Sequence, residues 1–206
     1  MDPLDDFLSS VPEKTALHPK KILPILREAY TIGVPVLIAK SMTDRLGESG
    51  GFAFHLGTTD PQMRRIASWL FTCFGEARGG IQKLLLPLWK RGGREDFKLV
   101  GLILANLDDG DLQQGVWSEF FSLIKTNSKH SLESLLEIIE EIHRTRPIPN
   151  NEELISLSLE GGMSHQTVIL VLIVGGNNID FPKEIIKSAA KGGELFERIR
   201  QSLLNE

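Results

Sequence analysis

The stretch Leu88–Leu104, LWKRGGREDFKLVGLIL, decides the fold. A helical run ends at Trp89-Lys90-Arg91, two glycines follow, and a second apolar run begins within a few residues. Glycine accepts the left-handed conformation that stops a helix, and a second glycine lets the chain turn straight back. The same shape returns elsewhere. LLPLWKRGGRE (85–95), LISLSLEGGMS (154–164) and IIKSAAKGGEL (185–195) align without gaps. FFSLIKTNSK (120–129) has Asn127 in the glycine place, and FAFHLGTT (52–59) puts Gly57 in a similar one. The markers Gly57, Gly92, Asn127, Gly161 and Gly192 are spaced by 35, 35, 34 and 31 residues. One helix pair cannot cover its own apolar face, so a recurrent pair stacks on its neighbours. The period therefore predicts an all-α protein, a right-handed α-solenoid of stacked helix hairpins with 31–35 residues per repeat.

Helical spacing supports this outside the turns. In DPQMRRIASWLFTCFG (60–75), Met63, Ile66, Ala67, Leu70, Phe71 and Phe74 recur at steps of one, three and four, with Asp60 as the expected cap. Leu132, Leu135, Leu136, Ile139 and Ile142 repeat the pattern, and Asn150 with Glu153 forms a capping-box arrangement. The run Val168–Val174 reads as a buried helix, with Ser164 as its cap and Gly175 as its stop. Helices are expected at 4–10, 19–32, 35–46, 60–74, 79–90, 94–107, 112–125, 131–144, 151–160, 164–174, 182–191 and 194–204. Pro24 and Pro87 should kink or break theirs. The 206 residues are expected to form a single domain, with residues 1–17 as a flexible N-terminal segment.

Composition narrows the function classes. With 41% hydrophobic and 24% charged residues the chain is globular rather than disordered. Its acidic N-terminus, MDPLDDFLSS, is not a secretory signal, and its longest apolar run, seven residues, falls far short of the ~20 a membrane helix needs. Cys73 is the only cysteine, which excludes an internal disulfide and fits a reducing, cytoplasmic setting. Five histidines, none paired at i, i+4, and no Cys-x-x-Cys give no metal motif. No Gly-x-Ser-x-Gly occurs, and the Gly-Gly turns lack the strand or Lys-Ser/Thr of a phosphate-cradling loop. LDDGDLQ (107–113) lacks the alternation and terminal Glu of a calcium loop; its acids are expected to cap a helix starting near Leu112. No cofactor is expected.

The net charge of −4 is unevenly spread. From Arg64 to Lys98 eight basic residues face three acids, and from Asp108 to Glu160 eleven acids face four basic residues. Arg64 and Arg65 fall on one second helix, Arg94 and Lys98 on the next, where i, i+4 spacing puts the latter two on one face.

The period also suggests tetratricopeptide or pentatricopeptide repeats, but Tyr30 is the only tyrosine and no polar pair recurs as a base-reading code. The segment Ile66–Leu107 instead resembles the HEAT-like (armadillo-like) repeats of the DNA alkylation repair glycosylase family. Leu88-Trp89, the turn, Glu95 and the small apolar helix Val100–Ala105 carry the likeness, over about 40 of 206 residues. The resemblance implies a curved α-solenoid whose second helices line a concave basic groove. The chain departs from the family where a Trp and a catalytic Asp should follow: GVWSEFFSLI offers Trp117 and Glu119 without the aspartates, so no catalytic residue is carried over.

Two readings follow. The first is a non-catalytic helical-repeat scaffold that recognises a protein or peptide on its concave surface. The alternative is a nucleic-acid-binding protein related to alkylpurine DNA glycosylases and acting in DNA repair. Candidate binding residues are Arg64, Arg65, Arg94 and Lys98 for phosphate, and Trp69 and Trp117 as aromatic walls.

Overall fold

The computed structural model describes residues 2–35, 52–126, 130–176 and 181–205. Among them the protein is all-α: twelve α-helices, two short 3₁₀ helices and no strand. The helices are α1 (Pro3–Ser10), α2 (Glu13–Ala16), α3 (Pro19–Ala29), α4 (Asp60–Phe74), α5 (Leu85–Arg91), α6 (Arg94–Asn106), α7 (Val116–Thr126), α8 (Leu132–His143), α9 (Asn151–Leu159), α10 (Gly162–Gly175), α11 (Lys183–Ser188) and α12 (Glu194–Asn205). The 3₁₀ segments span Arg78–Leu84 and Asp109–Asp111.

Five helices pack side by side in chain order: α4 on α6, α6 on α8, α8 on α10 and α10 on α12. The alternate helices lie against them, α5 on α6, α9 on α10 and α11 on α12, while α7 packs on α5, α6 and α10. Buried apolar residues from Leu4 to Phe196 form one contiguous core. The most deeply packed helix is α6, where Phe97, Leu99, Val100, Leu102, Ile103 and Leu104 are all buried. Burial of each such side chain contributes about 1.5–3 kcal/mol. The α6–α8 approach is close because Gly101 has no Cβ; one built there would lie 3.3 Å from Ile138 Cα.

The turn at 92–93 uses its two glycines differently. Gly92 caps α5 at φ 70°, the left-handed conformation expected of it. Gly93 has ordinary backbone angles but lies under the Phe54 ring; a Cβ there would sit 2.0 Å from Phe54 Cζ. Gly161 precedes α10 at φ 73°. Gly192 departs from the expectation: it is not left-handed, and it is small because a Cβ would meet Phe196 at 2.5 Å. Gly57, at φ 82°, ends no helix, since residues 52–59 run extended into α4. Asn127 and most of the expected 35–46 helix lie outside the described residues.

Other boundaries move for local reasons. Thr59, not Asp60, caps α4, its N–H donating to Gln62 Oε1 at 3.0 Å, which leaves the Asp60 carboxylate for cations. A 3₁₀ segment replaces the first part of the expected 79–90 helix; α5 starts at Leu85 and takes Pro87 in its first turn, where a missing N–H costs little. Pro24 sits inside α3, which continues past it. The helix expected from Leu112 begins at Val116, whose N–H donates to Asp109 Oδ1 at 3.1 Å. The helix expected from Ser164 begins at Gly162, and Gly176, at φ 83°, caps it. Residues 3–16, expected as part of a flexible segment, form α1 and α2, with Leu4, Leu8 and Ala16 buried in the core.

Candidate functional site

The side-by-side helices bring Arg64 of α4 and Arg94 and Lys98 of α6 to one surface together with α8. None of these cations stands alone. Glu141 of α8, almost fully buried, accepts two hydrogen bonds from Arg64, each 2.9 Å, and one from Lys98 at 3.0 Å. Asp60 accepts from Arg64 Nε at 2.7 Å and pairs with Lys98 at 2.9 Å. Arg94 pairs with Glu137 at 3.0 Å. Burial pushes the Glu141 carboxyl up, but the bonds from Arg64 and Lys98 outweigh it and hold the group below its ordinary range. The Lys98 ammonium, more than any other neighbour, holds Asp60 down as well. A cleft of about 260 Å³ opens over this network, bordered by Thr58, Arg94, Lys98, Glu137 and Glu140.

The other predicted residues lie apart. Arg65 turns to the opposite side of α4, pairing with Asp2 at 2.6 Å and Asp5 at 3.3 Å. Trp69, half-buried, borders an open groove with Leu8, Arg65 and Thr72. Trp117 is buried, its indole N–H donating to Pro147 O at 2.8 Å. Trp89 is fully buried, edge-on to Phe97 and His130 at centroid distances of 5.2 and 4.4 Å from its own ring.

Charge counting along the sequence missed the polar groups under the first Gly-Gly turn. Glu95 and Asp96 read as the acidic first turn of α6, yet both are buried. Glu95 Oε1 accepts the N–H groups of Leu56 and Gly57 at 2.8 and 2.9 Å, and His55 Nε2 lies 3.9 Å away. Burial raises the Glu95 carboxyl above its ordinary value, opposed by those backbone donors. Asp96 accepts from Arg91 Nε at 2.7 Å, Tyr30 OH at 3.1 Å and Gly93 N at 3.2 Å. Arg91 also donates to Leu23 O, and its guanidinium and that of Arg27 lie over the Phe54 ring at 5.6 and 4.6 Å. Ala53 N donates to Gly92 O at 2.8 Å, and Arg94 N to Phe54 O at 2.9 Å. These contacts fasten segment 52–58 to the turn. Their signal in the sequence is only a Glu-Asp pair just after Gly-Gly, which helix capping explains equally well.

A third surface feature lies farther along the row. Leu132 and Leu136 of α8, Leu170 of α10, and Leu195, Phe196 and Ile199 of α12 surround an apolar crevice of about 130 Å³. Glu133 borders it, and Glu133, Glu137 and Glu140 follow one another along α8 at helical spacing, so the crevice and the ion pairs share one side of the row.

Among the described residues no three His, Cys, Asp or Glu side chains converge as a metal site, and no helix is long and apolar enough to cross a membrane. Compared with protein-family models, curated proteins and solved structures, the chain matches none.

Proposed function

We propose that the chain is a non-catalytic helical-repeat binding module, a right-handed solenoid in which α4, α6, α8, α10 and α12 are the second helices of successive hairpins and carry a protein or peptide partner. The order of packing along that row supports the solenoid reading. One observation carries the functional reading: Arg64, Arg94 and Lys98 are all held by Asp60, Glu137 and Glu141. Along a duplex backbone these three cations would offer no net charge, because three carboxylates cancel them. A row of free cations would serve a nucleic acid; a charge-balanced row beside an apolar crevice serves a protein surface, where mixed charge gives register and an apolar pocket seats an anchor side chain. The absence of the family's aspartates beyond Trp117 further separates the chain from base-excision chemistry. A cytoplasmic setting belongs to the same proposal.

The test has two arms. Peptides selected from a random library against the folded chain should protect α8, α10 and α12 from hydrogen exchange, and Leu136→Glu should abolish their binding. A 20-base-pair duplex should bind weakly at physiological salt. Submicromolar duplex binding, with a log–log salt slope near −3 or steeper as three to four phosphate contacts require, would promote the nucleic-acid alternative. Selected peptides that instead protect α3 and α5 would move the binding face elsewhere.

A further inference from the structure

Beyond the ion pairs, the groove between α4 and α6 deepens into a second cleft of about 270 Å³, bordered by Arg64, Ser68, Phe71, Arg78, Leu102 and Asn106. Two arginines and, among the described residues, no carboxylate border it. We propose that this cleft binds a phosphate monoester carried on an apolar or aromatic stem. The two guanidiniums have complementary roles. Arg64 is fixed: its Nε bonds Asp60 and its two Nη atoms bond Glu141, which leaves two of its five N–H groups free. A donor already held in place loses little freedom when it binds. Arg78 is exposed, starts the 3₁₀ segment and makes no ion pair among the described residues, so it is available to close on an anion.

The cations at the cleft outnumber the carboxylates paired with them. Arg64, Lys98 and Arg144 share two carboxylates, Asp60 and Glu141, leaving one positive charge over, and Arg78 adds a second. The acidic turn 108–111 lies behind the backbone at Gly79, where a Cβ would be 3.1 Å from Asp111 O. None of its carboxylates borders the cleft: Asp111 accepts the Asp108 N–H at 3.0 Å, and Asp109 pairs with Arg146 at 3.0 Å. The half-buried Phe71 ring and Leu102 give the stem an apolar wall. Asn106 donates one amide hydrogen to Leu102 O at 2.8 Å and keeps its other for the anion. This site stands whether or not the helix row carries a peptide.

The experiment is a titration of the full chain with phenyl phosphate, followed by amide chemical shifts. Saturable shifts centred on Ser68, Phe71 and Arg78 are expected. Arg78→Gln should weaken binding at least about tenfold, the loss of one charge-assisted hydrogen bond, with an unchanged melting temperature because Arg78 holds no structural partner. Asn106→Asp, which adds a carboxylate to the cleft, should weaken it similarly. Absence of saturation, shifts centred elsewhere, or equal affinity in Arg78→Gln overturns the site. Inorganic phosphate binding as tightly as phenyl phosphate would remove the stem from the proposal, and benzoate binding as tightly would remove the phosphate.

Discussion

The turns Gly92–Gly93 and Gly161–Gly162 are the same two letters, and physics treats them differently. At the first, Gly92 supplies a left-handed φ while Gly93 supplies space, with Phe54 lying where a side chain would be. Beneath it are two buried carboxylates, a buried tyrosine and Arg91. At the second, both glycines have positive φ, 73° and 53°, and a Cβ at either would meet nothing within 4 Å among the described residues. The neighbouring Glu160 is exposed and pairs with Lys125 at 2.7 Å. The first turn is a packing site, the second only a bend. A repeat reading detects what the turns share, a helix stop, and is blind to what sits on them.

The largest expected effect tests that contrast directly. Gly93→Ala forces the Phe54 ring out of its place against Arg27 and Arg91 and should cost about 3 kcal/mol or more, at or beyond the upper end for overpacking. Gly162→Ala, strained in backbone alone, should cost about 1 kcal/mol. Urea unfolding measures both. Equal losses would mean that Phe54 yields freely and the first turn is no packing site. The double variant Gly93→Ala with Phe54→Ala should lose less than the sum of the two single losses, because removing the ring removes the clash.

This contrast also shows what the sequence makes legible. The helix stops at Gly92 and Gly161, the buried helix Val168–Val174 and the cap Asn150 follow from local rules, and the structure has them. Gly57 and Gly192 matched the period but not its cause. One lies in an extended strap and the other makes room for Phe196, because spacing alone does not tell a left-handed glycine from one needed for close approach. Arg94 and Lys98 lie on one face of α6, as their i, i+4 spacing implies, and Arg64 shares that surface, whereas Arg65, expected in the same row, pairs with Asp2 and Asp5. The neutralisation of Arg64, Arg94 and Lys98 by Glu137 and Glu141, some 40 to 80 residues away, depends on how α8 docks, which no local pattern carries. Glu95 and Asp96 were hidden for a related reason: first-turn acids are ordinary, and only the returning segment 52–58 turns them into buried clamps.

Acidification offers a second, smaller way to separate the turns. Burial lowers the pKa of both His55 and His130, so folding favours their neutral forms. For groups with a lowered folded pKa, the stabilisation is complete above the unfolded value near 6.5 and is lost as pH falls through the folded value. Glu95 has the opposite sign: burial raises it, so its penalty is relieved as pH falls through its raised folded value, against the histidines. Two histidines oppose one carboxyl, and a net loss of stability is expected between pH 7 and 5.5. Hydrogen exchange, corrected for intrinsic rates, should accelerate in 52–58 and α6 more than in α9 and α10. His130→Phe, which keeps an aromatic ring against Trp89 and Phe97, should reduce the acid sensitivity of that region. Acceleration led by α9 and α10, or an unchanged profile in His130→Phe, would count against the buried histidines as the cause.

The last effect belongs to Gly161→Val. At φ 73° and ψ −171° the backbone occupies a region essentially restricted to glycine, and with no described residue within reach of a Cβ the strain is the expected cost, about 1–3 kcal/mol. Two details sharpen the expectation. Gly161 N donates to Ser158 O at 3.1 Å, and His165 N reaches Gly161 O at 3.3 Å, so the position is tied at both ends and cannot slip out of the left-handed region without losing a helix-end bond. Its neighbour Gly162, at φ 53°, also has positive φ, so a shift of the turn by one residue gives no relief. A Gly161→Val protein with an unchanged urea midpoint would show that this turn relaxes into another shape. The second helix stop would then be a convenience of the sequence rather than a requirement of the fold.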